Sequence, residues 1–325
     1  MKATAITPSN IAFTKYWGRK NEALRIPENG SISMCLSNLL TTTTVEFSSK
    51  YKKDKVIING IKNDLETKRV VDHLNRIRKL AKTKLFAKIV SKNNFPSSTG
   101  LSSSASGFAA LTVAAVAAAG LKLSEKQLSI LARIGSGSAC RSIPSGFVEW
   151  LDGKSSETSY AKQIFPPNYW QIADVVAIIS SHQKSVSTSL GQQTAVTSPF
   201  LKNRLAQMGE KNKQAKLLIK NKDFKKFGQL LEAEALQLHA IFLTQNPPLI
   251  YLEPNSILLM KLCQKWRAEG LPVYFTLNTG QDIHLIVEAK NITKLKNKLS
   301  KIKEVKKVIV NYPSDGTKLT TKHLF

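Results

Sequence analysis

The order of hydrophobic and polar positions predicts a mixed sheet in the first part of the chain. Residues 2–15 alternate between polar and apolar side chains, and with 31–36 and 41–47 they predict strands of one mixed sheet. An apolar stripe within 65–80 predicts an amphipathic helix. A strand predicted over 86–90 then leads into a loop rich in serine and glycine.

An alanine-rich run over 108–121 follows this loop and is the most apolar stretch of the chain. It is shorter than the roughly 20 residues of a membrane span, so it predicts a core helix. A further helix is predicted over 123–133, with Ser124 as its N-cap. Strands over 147–151 and 175–180 are predicted to close the first domain.

The second half of the chain changes character, because long helical periods alternate there with short strands. The predicted helices cover 200–220, 222–243, 256–269 and 292–303, and the predicted strands cover 273–277, 283–287 and 305–310. Helices packed on a small antiparallel sheet form a ferredoxin-like α+β arrangement. Since 325 residues are many for one core, we predict two domains, 1–183 and 184–325.

The loop before the alanine-rich helix is the first stretch with candidate chemistry. Residues 93–107 read Asn-Asn-Phe-Pro-Ser-Ser-Thr-Gly-Leu-Ser-Ser-Ser-Ala-Ser-Gly, and these small side chains leave backbone N–H groups uncovered. A helix N-terminus adds roughly half a positive charge, so we predict an anion site here. A serine-rich connector before a buried helix is the alternative. The loop has neither the lysine of a Walker A motif nor a G-x-G-x-x-G fingerprint.

Two other segments combine small residues with cationic ones. Residues 10–20 read Asn-Ile-Ala-Phe-Thr-Lys-Tyr-Trp-Gly-Arg-Lys, and alone they fit a strand that ends in core aromatics with Lys15 on the surface. Residues 135–142 read Gly-Ser-Gly-Ser-Ala-Cys-Arg-Ser. Their small side chains let backbone amides approach an anion, and Arg141 can hold a carboxylate or phosphate through two hydrogen bonds. A helix C-cap and turn is the alternative for this segment.

Charge is the unusual feature of the composition. The 48 Lys+Arg against 22 Asp+Glu give a net charge of +26, a balance expected of a nucleic-acid binder. The lysines, however, are dispersed and lack interleaved aromatic residues that could stack on bases, so we interpret most of them as solvated surface. A basic RNA-binding protein is kept as the alternative from another functional class.

The odd number of cysteines, which are far apart, disfavours disulfides and zinc and favours a reducing cytoplasm. No apolar signal-peptide region occurs near the N-terminus, and no partner membrane is expected.

Taken together, these segments resemble a known family. The order Pro-x-Ser-x-Gly-Leu-x-Ser-Ser-Ala in the loop is similar to the phosphate loop of GHMP kinases. Residues 10–20, 29–33 (Asn-Gly-Ser-Ile-Ser), 135–142 and 146–150 (Gly-Phe-Val-Glu-Trp) resemble the diphosphomevalonate decarboxylases, a decarboxylating branch of that superfamily. The resemblance implies the GHMP kinase fold, an α+β fold with an N-terminal half like domain 2 of ribosomal protein S5 and a ferredoxin-like C-terminal half.

The resemblance also implies a reaction. Members of this family use ATP and Mg²⁺ to phosphorylate the tertiary 3-hydroxyl of mevalonate 5-diphosphate, and the product then loses phosphate and CO₂ to give isopentenyl diphosphate for isoprenoid biosynthesis. The implied partner is a small phosphorylated mevalonate, the implied location is the cytoplasm, and a homodimer is left open. Two alternatives also stay open: a decarboxylase of mevalonate 5-phosphate that gives isopentenyl phosphate, and a mevalonate 3-kinase that does not decarboxylate.

Site residues follow from the resemblance, position by position. The residues assigned to the ATP phosphates are Ser97, Gly100, Ser102, Ser103, Ser104 and Ser106, with Ser103 also assigned to the phosphate-bound Mg²⁺. The residues assigned to the substrate are Asn10, Tyr16, Trp17, Gly18, Arg19, Arg69, Ser136, Gly137, Ser138, Ala139, Cys140 and Ser189. Lys15 is expected to stabilise charge near the 3-oxygen, and Arg141, with Asn10, to hold the C1 carboxylate.

The chain departs from the family at the position of the presumed catalytic base. The family carries Asp-Ala-Gly-Pro-Asn, whereas residues 278–282 here read Asn-Thr-Gly-Gln-Asp. An amide cannot accept the proton, so we hypothesise that Asp282 supplies the carboxylate while Asn278 orients the substrate. The alternative is that positioning and electrostatic stabilisation suffice without a base. His284 is interpreted as a solvated edge-strand residue, with a proton acceptor as its alternative.

Two smaller departures concern polar side chains at the predicted site. Ser189 stands where relatives have threonine or arginine, and it keeps a hydroxyl but no guanidinium. Arg19 replaces the lysine of the family, which retains the charge with a different hydrogen-bonding geometry.

Overall fold

The computed structural model describes residues 1–96, 100–180, 186 and 188–325, and of Ser189 it describes the backbone. The strands are, in chain order, β1 (Lys2–Ala12), β2 (Arg19–Asn21), β3 (Ile26–Pro27), β4 (Ser31–Phe47), β5 (Lys55–Ile58), β6 (Ala87–Asn93), β7 (Phe147–Trp150), β8 (Ala161–Phe165), β9 (Ile172–Ile178), β10 (Val273–Thr276), β11 (Ile283–Glu288), β12 (Lys307–Asn311) and β13 (Lys318–Thr320). The α-helices are α1 (Asp64–Ala81), α2 (Ser103–Ala118), α3 (Glu125–Gly135), α4 (Thr188–Gln193), α5 (Leu201–Asn221), α6 (Phe224–Thr244), α7 (Pro254–Ala268) and α8 (Ile292–Leu299).

The first sheet has seven strands and carries α1, α2 and α3 on one face. Its order is β13-β1-β4-β6-β5, with β7 paired to β4 and β8 paired to β7. The alanines of α2 let this helix approach the sheet closely, and it is buried along almost its whole length. The prediction of two strands over 31–36 and 41–47 is wrong, because they are one strand, β4. The register of β1 against β4 shifts between Pro8 and Ser9, so residues 37–39 of β4 are not paired with β1. This stretch includes the polar Ser37 and Asn38 and lies between the two predicted strands.

The second sheet has four antiparallel strands in the order β10-β11-β9-β12. Helices α7 and α8 cover one of its faces with a core that includes Leu259, Trp266 and Leu295. The strand predicted over 175–180 is β9, which pairs with β11 and β12 of the second sheet. The division into 1–183 and 184–325 stays a prediction.

Helices α5 and α6 lie between the two sheets and join the halves of the molecule. Their apolar side chains share one core with β1 and β4 on one side and with β9, β10 and β11 on the other. At its centre, the rings of Phe13 and Phe227 meet edge to face with centroids 4.9 Å apart. Because residues 13–18 follow directly after β1, this packing places them at the boundary between the halves.

Several local predictions are confirmed. Helix α3 begins with a capping box in which the Ser124 hydroxyl accepts from Gln127 and the Gln127 side chain accepts from the backbone of Ser124. The predicted C-terminal helices and strands all form, although α8 ends at Leu299, four residues before the predicted end. Among the helices of the described residues, none combines the length and the apolar content needed to span a membrane.

Candidate active site

The N-terminus of α2 has the properties of an anion site. Ser102 precedes the helix in a left-handed conformation (φ 57°), and its side chain does not cap the first turn. That first turn contains no acidic residue, and the helix is 16 residues long. Of the predicted loop residues, Ser104 is exposed, whereas Ser106 is buried and hydrogen-bonded to Thr41 at 2.6 Å. The positive end of the helix dipole is therefore not neutralised by a carboxylate of its own first turn.

Gly100 brings a distant turn against this loop. It has φ +106°, and a Cβ there would lie 2.9 Å from the Cα of Gly280. Only glycine fits both the backbone conformation and this approach. As a result, Asn278 lies next to the loop, and its Nδ2 donates to the Oγ of Ser102 at 3.2 Å.

Lys15 lies on the other side of Asn278 and is fully buried, so the interpretation of this lysine as a surface residue is wrong. Its Nζ donates to the carbonyl of Ala12 at 2.6 Å and to Oδ1 of Asn278 at 3.4 Å. Asn278 thus connects the amine of Lys15 with Ser102 of the phosphate loop.

The carboxylate nearest to Lys15 is held by other groups. Glu234 accepts from the backbone N–H of Lys15 at 3.0 Å and pairs with Arg204 at 2.8 Å and Lys211 at 2.9 Å. Burial lowers the pKa of Lys15 to about 7, with Glu234 opposing this shift and the positive charges of Arg141 and Arg204 adding to it. The amine of Lys15 is therefore close to its titration point at neutral pH.

Arg141 is buried and held in a fixed orientation. Its Nε donates to Oδ1 of Asn10 at 3.1 Å, and one terminal nitrogen donates to Oγ of Ser31 at 2.7 Å. Asn10 is itself held through Nδ2 by Ser142 at 2.8 Å and by the carbonyl of Ser138 at 3.4 Å. Arg141 and Asn10, both assigned to the C1 carboxylate, are in contact, and the guanidinium has donors beyond those used by Asn10 and Ser31.

A second cationic group surrounds Tyr16. The Nε of Arg19 donates to the hydroxyl of Tyr16 at 3.2 Å, and the guanidinium of Arg19 pairs with the half-exposed Glu22 at 2.5 Å. Burial lowers the pKa of Arg25 to about 10, and the nearby charges of Arg19 and Arg69 add to this effect. Three guanidinium groups close enough to repel one another form a setting suited to a polyanion.

The glycine- and serine-rich segment lies between this arginine group and the phosphate loop. A Cβ on Gly137 would lie 2.6 Å from the hydroxyl oxygen of Tyr16, so only glycine permits this contact. The Oγ of Ser136 lies 3.5 Å from the Oγ of Ser104. After α3, residues Gly137–Ser142 form a 3₁₀ turn, which agrees in part with the alternative of a helix C-cap and turn.

Other predicted substrate residues have side chains in the core. Trp17 packs on Phe242 and donates from Nε1 to Gln245 at 3.2 Å. Ala139 is buried under α2, and Cys140 is a buried free thiol whose pKa is raised to about 12 by burial. The side chains of Trp17, Ala139 and Cys140 therefore pack behind the site. Gly18 has φ +88° and donates its N–H to Gln192 of α4 at 2.8 Å.

Asp282 and His284 lie deeper in the second sheet than expected. Oδ1 of Asp282 accepts from the backbone N–H of Ile179 at 3.0 Å, at the end of β9. His284 is on β11, an inner strand, and is 1% exposed, so its interpretation as a solvated edge residue is wrong. Its Nδ1 pairs with the buried Asp174 at 2.9 Å. The turn therefore brings Asn278, rather than Asp282, into hydrogen-bonding distance of Lys15 in the described contacts.

Among the predicted site residues, Ser97 and the side chain of Ser189 lie outside the described part of the chain. Arg69, which is described, bonds to Glu66 at 2.8 Å and stacks over Phe108 with its Cζ 4.9 Å from the ring centroid.

A cavity of about 410 Å³ opens beside the site, between Gly18, Arg19 and the residues around α4 and the start of α5. The described residues that line it include Gln192 and Leu205, but neither Lys15 nor Arg141. It adjoins the arginine group and does not contain the centre of the predicted chemistry.

Comparison with known proteins decides the family. A model described as "Diphosphomevalonate decarboxylase-like N-terminal domain" matches residues 7–161, and one described as "Mevalonate 5-diphosphate decarboxylase C-terminal domain" matches residues 174–322. This chain belongs to the diphosphomevalonate decarboxylase family. The diphosphomevalonate decarboxylase of Candida albicans is 34% identical, with 92% of this chain and 88% of that protein covered. The one from Rattus norvegicus is 36% identical, with 86% and 75% covered.

Solved structures of diphosphomevalonate decarboxylases match the whole fold. The enzyme of Staphylococcus aureus is 37% identical with a TM-score of 0.93, and 98% of each chain is covered. The Enterococcus faecalis enzyme, in a study of its ATP binding mediated by mevalonate diphosphate, is 40% identical with a TM-score of 0.92, and 98% of this chain and 99% of that chain are covered. A structure of MDDEF in complex with MVAPP, AMPPCP and magnesium is 41% identical with a TM-score of 0.93 and the same coverage. The GHMP kinase fold predicted from the sequence is confirmed.

The hydrogen-bond donors at this site fit the phosphates of a nucleotide. The uncapped N-terminus of α2 presents backbone amides and a positive dipole, which suit phosphate oxygens. No group of His, Cys, Asp or Glu side chains suited to a metal ion occurs among the described residues.

Some residues that reach the site from elsewhere in the chain were not predicted from the sequence. Glu234 and Arg204 face Lys15 from α6 and α5, but on a helical period they look like ordinary polar positions. Arg25 gives no local signal either. Ser31 lies in residues 29–33, a segment used for the family resemblance. Its position directly after Gly30 was the only feature of the sequence that pointed to a role for this serine.

Proposed function

We propose that this chain catalyses the ATP-dependent decarboxylation of mevalonate 5-diphosphate to isopentenyl diphosphate. The observation that carries the proposal is the convergence of three features: the buried amine of Lys15, the fixed guanidinium of Arg141 and the uncapped N-terminus of α2. They supply a cation near a reacting oxygen, a carboxylate ligand and a phosphate site. Decarboxylation that depends on phosphorylation requires all three.

The roles follow from where each group lies. Arg141, fixed by Asn10 and Ser31, holds the C1 carboxylate. Lys15 lies between that carboxylate and the phosphate loop and acts at the 3-oxygen. The first turn of α2 binds the nucleotide phosphates through Ser102, Ser103 and Ser104, and Mg²⁺ at Ser103 would neutralise their charge when bound. Transfer of a phosphoryl group to the 3-hydroxyl turns a poor leaving group into phosphate, whose departure accompanies the loss of CO₂.

Charge at the far end of the substrate favours the diphosphate over the monophosphate. Arg19, Arg25 and Arg69 lie near enough to one another to shift the pKa of Arg25, and Tyr16 adds a hydroxyl. A diphosphate offers more negative charge to offset this repulsion than a monophosphate does. This supports mevalonate 5-diphosphate against the 5-phosphate alternative.

The proposed location is the cytoplasm. Cys35, Cys140 and Cys263 are buried free thiols, and this is the state expected in a reducing compartment. Whether the chain forms a homodimer stays open.

The test is a comparison of two substrates. We expect CO₂ release with ATP and Mg²⁺ to show a kcat/KM at least tenfold higher for mevalonate 5-diphosphate than for mevalonate 5-phosphate. Arg25→Met should narrow that difference, because it removes one of the three charges without touching Lys15 or Arg141. CO₂ release from the 5-phosphate alone would establish the alternative decarboxylase, and no CO₂ from either substrate would refute the proposal.

A further inference from the structure

Among the contacts of the described residues, no carboxylate touches the amine of Lys15. The residue that the family places there as aspartate is Asn278, whose amide oxygen lies 3.4 Å from Nζ. A carboxylate at this position would form an ion pair and keep the amine protonated, whereas an amide oxygen carries no full charge. The substitution thus changes the state of Lys15 as well as removing a base.

The two described acceptors around Nζ suit a neutral amine. Such an amine has two N–H groups and one lone pair. The carbonyl of Ala12 at 2.6 Å and Oδ1 of Asn278 at 3.4 Å can accept these two hydrogens. The lone pair then remains for a third partner, such as the hydroxyl of a bound substrate.

Charged groups on every neighbouring element act on this amine. Glu234 on α6 is compensated by Arg204 on α5 and by Lys211. Arg141 faces the amine from the 3₁₀ turn and Asp174 faces it from β9, where Asp174 is paired with His284.

His239 on α6 donates from Nε2 to the carbonyl of Asn278 at 3.2 Å. Burial lowers the pKa of His239 to about 4, which leaves this residue neutral at pH 7.

We propose that Lys15, in its neutral form, accepts the proton of the 3-hydroxyl in this chain. This inference rests on the proposed function. The O–H bond breaks and its proton goes to the lone pair of Nζ, while the oxygen forms a bond to the γ-phosphorus of ATP and the bond from that phosphorus to the β–γ bridging oxygen breaks to release ADP. The resulting ammonium then stabilises the phosphate that leaves from C3 and returns its proton to solvent after turnover.

The same geometry explains why Asp282 need not act. Its Oδ1 is used by the backbone N–H of Ile179 at the end of β9. Lys15, by contrast, is joined through Asn278 to Ser102, next to the turn of α2 that holds the phosphates. Lys15 is therefore a titratable group that the described contacts link, through Asn278, to the turn proposed to hold the phosphates.

The first test is a direct titration of Lys15 in the protein without substrate. In protein labelled with ¹⁵N-lysine, the Nζ signal that disappears in Lys15→Arg identifies the residue. Its pKa should be close to 7, because burial disfavours the charged form, and it should rise in Asn278→Asp, because an added carboxylate favours that form. A value above 9 in the wild-type protein would overturn the inference. This readout does not depend on turnover.

The second test is the pH profile of kcat/KM for CO₂ release. A base with a pKa of about 7 must be neutral to act, so the rate should rise with pH and be about tenfold lower at pH 6 than at pH 8. Lys15→Arg should lose about 10²- to 10⁴-fold, since its guanidinium keeps the charge but cannot accept a proton. Lys216→Arg on α5, where the lysine pairs with Glu149 at 2.6 Å, is the matched control and should keep the wild-type profile.

The double variant Lys15→Arg/Asn278→Asp separates a catalytic role from a structural one. The new carboxylate can serve as the base, so activity should recover above that of Lys15→Arg, with the rise in rate moved below pH 6. No recovery in a variant that melts like wild type would contradict the proposal. A loss in Asp282→Asn, together with a retained profile in Lys15→Arg, would assign the base to Asp282 instead. If the wild-type protein releases no CO₂ at any pH, the proposed function fails, while the titration of Lys15 remains readable.

Discussion

At the scale of single residues, the site depends on two nitrogen groups, the guanidinium of Arg141 and the amine of Lys15, whose positions are fixed by neutral neighbours. Arg141 is oriented by the side chains of Asn10 and Ser31 and Lys15 by Asn278 and the carbonyl of Ala12. Neutral partners orient the guanidinium of Arg141 without cancelling its charge, so this charge remains available to an anionic substrate. The neutral partners of Lys15 leave its amine able to exist in the uncharged form. A carboxylate partner would have competed with the carboxylate and phosphates of the substrate.

Arg141→Lys tests the orientation of the substrate carboxylate. A lysine retains the charge but cannot make two parallel hydrogen bonds, so we expect kcat/KM to fall by about 10- to 100-fold with little change in Tm. Steady-state CO₂ release and thermal denaturation measure the two effects.

The control for this variant is Arg267→Lys. Arg267 also makes two hydrogen bonds to a carboxylate, Glu232, at 2.8 and 3.0 Å, but on α7 away from the site. This control should keep wild-type kinetics. Wild-type kinetics in Arg141→Lys as well would mean that Arg141 does not hold the carboxylate.

At the scale of elements, two helix N-termini built from serine have opposite functions. Ser124 caps α3 with its own side chain, as predicted from the sequence. Ser102 precedes α2 without capping it, and the first turn of α2 carries no acid. One end is closed by the protein, and the other is open to an anion.

Ser104→Glu tests whether the open end of α2 binds the nucleotide. The side chain is exposed, so the new carboxylate should be accommodated and should interact favourably with the helix dipole. We therefore expect an unchanged or slightly higher Tm together with a loss of ATP binding of at least tenfold, measured by calorimetry with Mg²⁺.

Ser124→Ala on α3 is the matched control for that change. Loss of its cap should cost about 1 kcal/mol of stability and leave ATP affinity as it was. Unchanged ATP binding in Ser104→Glu would show that the phosphates lie elsewhere.

Local signals allowed much of this architecture to be predicted. Periodicity identified the helices of the second half, and small residues indicated the proposed phosphate loop, because both signals depend on neighbours in sequence. The unbroken β4 and the membership of β9 in the second sheet were not predictable in this way, since pairing with distant strands decides them. Lys15 shows the same limit within the site. Its burial is produced by Glu234 and Arg204, more than 180 residues away along the chain, which no local pattern reveals.

At the scale of the whole molecule, the site belongs to both halves. Arg141 and α2 come from the first sheet and its helices, whereas Asn278, Glu234 and Arg204 come from the second half. The last strand, β13, returns to pair with β1, so the ends of the chain also join the first sheet. Helices α5 and α6 pack between the sheets and therefore help to set how Asn278 of the second half meets Lys15 and Ser102 of the first. The net charge of +26 greatly exceeds what these few cations contribute, and nothing in the structure explains the remainder.

The most direct test of the central claim is the ratio of CO₂ to ADP in a single turnover of mevalonate 5-diphosphate with limiting enzyme-bound ATP and Mg²⁺. Because Arg141, Lys15 and the N-terminus of α2 converge on one substrate, phosphorylation and loss of CO₂ should be completed in the same site. We predict one CO₂ for each ADP formed. ADP without CO₂ would identify a 3-kinase, and the formation of neither product would contradict the account.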